Sequence, residues 1–274
     1  MQVGIFAKTF SATGALSVFN AVKQAGYEVA QFNMACLGMP SMPERIAPTI
    51  ADEIAKASSA SGVTIAAISG TYNMIHPDSL VRADGLARLA TIIRAAPLMG
   101  TRLVTLCTGT RDAKDQWKHH PENSSKEAWR DLLEEMGKAI VLAEENNVDL
   151  GIEPELANVV SSAEQAKRLI NELKSPRIRI VLDPANLFEV ALPRESQSII
   201  AQAVDFLGDR IVMAHAKDRR ATGEFTAAGS GVIDFPHFVR CLRSAGFDGP
   251  LVTHGLSEQE APAVATFLSG VIAA

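Results

Sequence analysis

Four consecutive apolar segments in the second half of the chain end in carboxylate or imidazole side chains. The segments are GIEPE, VLDPANL, MAHAKD and LVTHGL, and the side chains are Glu153, Asp183, His215 and His254. Carboxylates combined with imidazoles suit a divalent first-row metal ion. Apolar strands normally exclude charged residues, so four such positions in a row predict a metal centre more strongly than any one of them. The alternative is a hydrogen-bonded polar cluster without a metal.

Three further polar residues accompany these candidate ligands. Glu155 and Lys217 each follow a candidate ligand by two residues, which places them on the same face of their strands. They could hold substrate hydroxyls or an anionic group, or they could form a buried ion pair with each other. Asn186 follows Asp183 by three residues, in the loop after that segment. We expect all three to be substrate-binding residues.

The elements that must position these residues are short β-branched runs alternating with longer segments of helical periodicity. We predict eight strands: 3–6, 28–32, 64–69, 103–107, 149–153, 178–183, 211–216 and 251–254. This alternation indicates parallel strands with helical crossovers. Eight units, with no GxGxxG turn after the first strand, favour a single-domain (β/α)8 TIM barrel over residues 1–274. The candidate ligands then meet at the carboxyl ends of the strands, where such barrels have their active sites.

Two sequence patterns bear on the loops of this barrel. Ser124–Glu127 and Ser161–Glu164 each fit a capping box, which predicts two helix starts. Gly229-Ser230-Gly231 lies between the seventh predicted strand and its helix, where barrels often bind phosphate. We interpret it instead as a turn that needs positive φ.

Composition excludes several classes of protein. The 274 residues carry a net charge of −5 without a dense Lys/Arg run, which argues against nucleic-acid binding. The three cysteines lack CxxC spacing and are interpreted as free thiols in a reducing compartment. No apolar run is long enough for a membrane span, and the N-terminus does not have the pattern of a signal peptide. We therefore expect a soluble, cytoplasmic protein.

Six motifs together resemble the sugar phosphate isomerase/epimerase group of xylose isomerase-like TIM barrels, which includes ketose 3-epimerases and hydroxypyruvate isomerases. They are SGTYNMIHPD (69–78), CTGTRD (107–112), GIEPE (151–155), VLDPANL (181–187), AHAKD (214–218) and FDGPLVTHGL (247–256). The resemblance implies one divalent metal ion, usually Mn²⁺, with Zn²⁺, Co²⁺ or Fe²⁺ as alternatives, held by Glu, Asp, His and Glu. Glu153, Asp183 and His215 match this set, whereas His254 stands where the group has its second glutamate.

The resemblance also implies a reaction and substrate contacts. In ketose 3-epimerases the two glutamates act as bases, so Glu153 and His254 become the catalytic candidates. Substrate contacts are expected from His76, which could otherwise cap the next helix, and from Arg111, Trp117 and His120 in a long loop resembling a lid. The DNA-repair endonuclease relatives have a zinc-binding histidine where Asn186 stands, which argues against a trinuclear zinc endonuclease. Relatives commonly form dimers or tetramers.

These observations predict an isomerase or epimerase of a small sugar or hydroxy-ketone, working by proton abstraction and a metal-stabilised ene-diolate. The histidine at position 254 casts doubt on the two-glutamate epimerisation, although an imidazole can bind a metal or move a proton near pH 7. Two alternatives stay open. One is a metal-dependent lyase or dehydratase acting on a keto-inositol or polyol, and the other is a sugar-binding barrel that has lost its catalytic centre.

Overall fold

The computed structural model describes residues 1–274, in which strands and helices alternate along the chain. The strands are β1 (Gln2–Phe6), β2 (Val29–Phe32), β3 (Thr64–Ser69), β4 (Leu103–Leu106), β5 (Asp149–Ile152), β6 (Ile178–Leu182), β7 (Ile211–Arg219), β8 (Phe225–Ala227) and β9 (Pro250–Thr253). All eight predicted strands are present. The predictions did not include β8 or the last three residues of β7.

Eight parallel strands close into a barrel. Neighbouring strands pair in chain order from β1 to β7, and β9 pairs with both β7 and β1. The short strand β8 stands outside this ring and pairs antiparallel with the end of β7, so that Lys217 lies opposite Ala227. The prediction of a single-domain (β/α)8 barrel is therefore confirmed.

Eight helices complete the βα units. They are α1 (Ala15–Gln24), α2 (Pro48–Ser61), α3 (Ser79–Ala95), α4 (Lys126–Asn146), α5 (Ala163–Leu173), α6 (Pro193–Leu207), α7 (Phe235–Ser244) and α8 (Ala261–Ala273). None of them combines the length and the apolar character that a bilayer crossing requires.

The two predicted helix starts are correct, but their capping boxes are wrong by one residue. The hydroxyl groups of Ser125 and Ser162 accept hydrogen bonds from Ala128 N and Gln165 N, at 3.0 and 3.3 Å. Ser125 and Ser162 are thus the N-caps, one position later than the boxes require. The glutamate of each proposed box consequently falls at the second helical position, from which it does not close the box.

The inside of the barrel changes from apolar to polar along five of its strands. One buried apolar cluster consists of Ala67, Leu103, Val181, Met213 and Val252, from five different strands. Two residues further along the chain, within these strands or directly after them, stand Ser69, Thr105, Asp183, His215 and His254. Residues two apart in a strand share a face, so these polar side chains form a layer directly above the apolar plug. The packed interior is therefore the floor of a polar site at the carboxyl ends of the strands.

Candidate metal centre

The four predicted ligands converge above the apolar plug. Glu153, Asp183 and His254 directly follow β5, β6 and β9, and His215 lies within β7. One ligand atom from each lies within 4.8 Å of the ligand atoms of the other three. Two carboxylates and two imidazoles at such distances match the mixed oxygen and nitrogen donor set of divalent first-row metals. The residues present therefore fit a metal ion.

Each imidazole of this site lies against one carboxylate. His215 Nδ1 is 3.1 Å from Glu153 Oε1, and His254 Nε2 is 3.0 Å from Asp183 Oδ2. The two imidazole rings lie 4.5 Å apart between centroids. Asp183 is fully buried and His215 nearly so, whereas Glu153 and His254 each expose about a fifth of their side chains. The centre thus opens on the side of Glu153 and His254.

The surroundings keep both carboxylates ionised. Burial raises the pKa of Glu153, but the charge and hydrogen bond of His215 outweigh it and hold that pKa below its usual range. Burial likewise raises the pKa of Asp183, and the charge of Lys217 with the hydrogen bond from His254 brings it well below its usual range. Because only ionised carboxylates bind metal ions, both side chains are in the form that a metal centre requires.

The imidazole of His254 is pushed toward its neutral form. Burial lowers its pKa first, and the charge of His215 lowers it further, while the hydrogen bond to Asp183 acts in the opposite direction. The net pKa lies below that of an ordinary histidine. A neutral imidazole can bind a metal ion or accept a proton near pH 7.

Lys217 and Asn186 join the two carboxylates into one network. Lys217 Nζ donates to Asn186 Oδ1 at 2.9 Å and lies 3.3 Å from Asp183 Oδ2. Asn186 Nδ2 in turn donates to Glu153 Oε1 at 2.9 Å. The acidic partner of Lys217 is therefore Asp183, and no salt bridge joins Lys217 to Glu155. The alternative of a buried Glu155–Lys217 ion pair is wrong.

A cavity of about 450 Å³ stands above the candidate metal centre. Glu155 and Lys217 line it, as does Trp117 from the loop after β4. Burial raises the pKa of Glu155 to about 7, although the charge of Lys217 opposes this shift. The cavity wall therefore presents an ammonium group and a carboxyl group that titrates near neutral pH.

Several residues of the cavity could not be predicted from the sequence. The main ones are Gln31, Asn33, Ser69, Thr71, Thr105 and Phe225. Gln31, Ser69 and Thr105 interrupt apolar strands with uncharged polar groups, a signal that was present but weaker than a charge. Phe225 comes from the unpredicted β8, and its ring lies 3.8 Å from Lys217 Nζ. This cation–π contact holds the ammonium group at the cavity.

Three predicted substrate contacts are held elsewhere by loop interactions. His76 lines a neighbouring cavity, with Nε2 3.1 Å from Ala113 O, and its Nδ1 accepts a hydrogen bond from Asp78 N. Arg111 donates to a backbone carbonyl and pairs with Asp131 Oδ2 at 2.8 Å. His120 accepts a hydrogen bond from a backbone amide at the start of a short 3₁₀ helix. The structure does not bring His76, Arg111 or His120 to the cavity above the candidate metal centre.

The glycine-rich segment after β8 is a turn organised by Asp218. Gly229 N and Gly231 N donate to Asp218 Oδ2 at 3.1 and 2.9 Å, and two more backbone amides donate to Oδ1. Gly229 has a φ of +84°, as the interpretation of a turn requires. The backbone amides that a phosphate would need already donate hydrogen bonds to the carboxylate of Asp218.

Comparisons with known proteins agree with this architecture. A family model described as xylose isomerase-like TIM barrel matches residues 19–268. The 3-keto-D-glucoside 4-epimerase of E. coli superposes with a TM-score of 0.78 at 17% identity, covering all of both chains. D-psicose 3-epimerase of Clostridium cellulolyticum H10 gives 0.74 at 15%, covering 99% of each chain. An L-ribulose 3-epimerase gives 0.75 at 19%, covering 99% of this chain and 94% of the other. Among curated proteins, none matches the sequence.

Proposed function

The chain belongs to the xylose isomerase-like TIM barrel family, and from this premise we propose that it is a metal-dependent isomerase or epimerase of a small ketose or related hydroxy-ketone. The observation that carries the proposal is the convergence of Glu153, Asp183, His215 and His254 within 4.8 Å. Glu153, His215 and His254 of this cluster line a cavity whose wall also carries Lys217 and Glu155. The structural neighbours named above are sugar epimerases, which supports the choice of substrate class.

We infer that the centre binds Mn²⁺, with Zn²⁺, Co²⁺ and Fe²⁺ as alternatives. A divalent ion in this centre would supply Lewis-acid polarisation of substrate oxygens, which makes the adjacent C–H group more acidic. Glu153, Asp183, His215 and His254 would hold it. His215 Nδ1 and Asn186 Nδ2 both contact Oε1 of Glu153. The other carboxylate oxygen, Oε2, is therefore the atom that would take the proton from substrate.

The remaining side chains bind and orient the substrate. Lys217 is held by Asn186 and by the ring of Phe225, so its ammonium group can donate to a substrate oxygen from a fixed position. Glu155 presents a carboxyl group with a raised pKa, which can accept from or donate to a sugar hydroxyl. Trp117 lines the cavity, is 54% exposed, and provides an apolar face for the sugar ring.

His254 determines which proton transfers are open to this chain. A one-base isomerisation uses Glu153 alone, with the proton returned to a neighbouring carbon from the same side. A two-base epimerisation needs a second proton carrier, and the imidazole of His254, with its lowered pKa, is the group available in the centre. Both reactions begin with the same proton abstraction by Glu153.

Solvent-deuterium exchange tests this shared first step. The protein is loaded with Mn²⁺ and incubated in D₂O with a panel of ketopentoses, ketohexoses and keto-sugar acids, and deuterium in recovered sugars is measured by mass spectrometry. We expect exchange into at least one sugar by the wild type and by a Glu53→Gln control on the exposed face of α2, and none by Glu153→Gln. Loss of water without an isomer would assign a lyase instead. Neither exchange nor isomer formation with any sugar, despite bound metal, would contradict the proposal.

A further inference from the structure

One buried amide in the barrel lies directly behind the candidate metal centre. Gln31 belongs to β2, is only 6% exposed, and follows an irregularity in the pairing of β2 with β3 between Ala30 and Gln31. It stands among otherwise apolar residues of a four-residue strand. A buried amide needs partners for both its oxygen and its nitrogen, because an unpaired polar group in a protein interior is costly.

The partners of Gln31 are a pair of hydroxyls and one imidazole. Its Nε2 donates to Ser69 Oγ and to Thr105 Oγ1, both at 3.2 Å. Its Oε1 lies 2.8 Å from Nε2 of His215. The amide nitrogen therefore faces β3 and β4, and the amide oxygen faces the imidazole. Since a carbonyl oxygen can only accept, the Nε2 atom of His215 carries the proton in this contact.

This contact has a consequence for the other ring nitrogen. In the metal-free centre Nδ1 donates to the ionised Glu153, whereas a metal ion binds only an unprotonated ring nitrogen. Because the proton on Nε2 is held by Gln31, the nitrogen that would give up its proton to a metal ion is Nδ1. Nδ1 is the nitrogen that faces Glu153 Oε1, at 3.1 Å, inside the cluster of four ligands. The atom left free by Gln31 is thus the atom that points to the metal centre.

We propose that Gln31 is a positioning residue that fixes the ring orientation and tautomer of His215, so that Nδ1 is its metal-binding atom. Metal-binding histidines commonly donate their second N–H to such a partner, and loss of the partner typically weakens metal binding 10- to 100-fold. Ser69 and Thr105 act on His215 indirectly. They accept hydrogen bonds from the amide nitrogen of Gln31 and so keep its amide oxygen toward His215. The inference rests on the proposed function, since it requires the metal centre.

Zinc affinity measures the effect without any substrate. Zn²⁺ is titrated against a chromophoric chelator at pH 7.5 with the wild type, Gln31→Met and Gln31→Glu. We expect Gln31→Met to bind Zn²⁺ about 10- to 100-fold more weakly, because its thioether does not replace the amide oxygen. Gln31→Glu retains an acceptor at the same position and is expected to stay near or above wild-type affinity. This recovery separates positioning of His215 from simple packing.

A pair of threonine variants gives a matched test that disturbs the fold less. Thr105→Val removes one acceptor of Gln31, whereas Thr101→Val removes a buried hydroxyl that donates to Ala66 O, away from the site. Both threonines are less than 10% exposed. We expect a several-fold loss of zinc affinity for Thr105→Val and none for Thr101→Val. Equal effects of the two variants would overturn the role of the hydroxyl pair.

Nitrogen-15 NMR of the zinc-loaded wild type observes the tautomer directly. We expect the Nε2 signal of His215 to be that of a protonated nitrogen and the Nδ1 signal that of a metal-bound one. Zinc on Nε2, or unchanged affinity in Gln31→Met and Thr105→Val, would overturn this inference while leaving the metal centre intact. Failure of the wild type to bind Zn²⁺ or Mn²⁺ at all would overturn the proposed function and this inference with it.

Discussion

Oδ2 of Asp183 lies 3.0 Å from Nε2 of His254 and only 3.3 Å from Nζ of Lys217. One oxygen of a fully buried carboxylate thus faces both an imidazole and an ammonium group. Its second oxygen, Oδ1, accepts a hydrogen bond from the backbone amide of Ala185 at 2.9 Å. The charge of Asp183 is therefore compensated by Lys217, while His254 and the amide of Ala185 contribute hydrogen bonds.

Replacing His254 by the glutamate typical of the resembling epimerases should make the protein depend on metal for its stability. His254→Glu places a third carboxylate beside Glu153 and Asp183, and like charges in a buried site disfavour each other's ionised form. We expect a lower Tm for the metal-free variant and a larger increase with Mn²⁺ than for the wild type. His119→Glu, at an exposed position, is the control. Equal metal-free Tm values for His254→Glu and the wild type would contradict this electrostatic account.

Lys217→Met should destabilise the metal-free protein strongly. The substitution leaves the buried Asp183 without its cation and Asn186 Oδ1 without its donor. Removing one partner of a buried ion pair typically costs about 3–5 kcal/mol. Lys56→Met, which breaks an exposed ion pair with Asp52, should leave the free energy of unfolding nearly unchanged. Urea unfolding of the two variants measures both values, and similar losses would show that Lys217 does not compensate Asp183.

Inorganic phosphate should not bind at the glycine-rich turn. The amides of Gly229 and Gly231 donate to Asp218, and a side chain at position 231 would overlap that carboxylate. We expect no protection of the turn from hydrogen exchange at millimolar phosphate. Phosphate-dependent protection would contradict this prediction and indicate a phosphate site at the turn.

Asp218→Asn should destabilise the protein by about 2–4 kcal/mol, because an amide group cannot accept at both of its heteroatoms.

Cys107 should be unreactive even though it borders the cavity. Burial raises the pKa of its thiol to about 12, and Sγ lies 3.4 Å from Tyr72 O, to which it can donate. Because only the thiolate is alkylated, Cys107 should resist iodoacetamide at pH 8, with the rate rising about tenfold per pH unit toward pH 12. Mass spectrometry of the labelled peptides should find Cys241, which is partly exposed, modified first. Rapid labelling of Cys107 at pH 8 would contradict the burial of its thiol.

The strands and the four candidate ligands could be predicted because two local rules act together. Hydrophobic periodicity locates the strands, and the barrel geometry brings their carboxyl ends together, so the positions of Glu153 and Asp183 follow from the sequence. Contacts made by loops do not follow in this way. Arg111 was expected at the substrate but pairs with Asp131 on α4, a contact that depends on how a long loop folds back on its helix.

Two other residues show where the sequence signal is weak. Gln31 carries no charge, and a single amide in a short apolar strand does not distinguish a buried partner of His215 from a surface residue. Phe225 lies in a three-residue strand that is too short to show periodicity, and its position depends on β7 continuing beyond the barrel. The role of each residue follows only from the folded barrel, in which Gln31 contacts His215 and Phe225 contacts Lys217.

Metal binding by the wild type and by Asp183→Asn tests the central claim most directly. Each protein is purified without chelator or metal-binding tag, incubated separately with Mn²⁺, Zn²⁺, Co²⁺ and Fe²⁺, and analysed by mass spectrometry for bound metal. The four-ligand centre predicts about one ion per chain for the wild type and a large loss for Asp183→Asn. A wild type that binds none of the four ions, or a variant that binds them equally well, would contradict the metal centre and the reaction proposed for it.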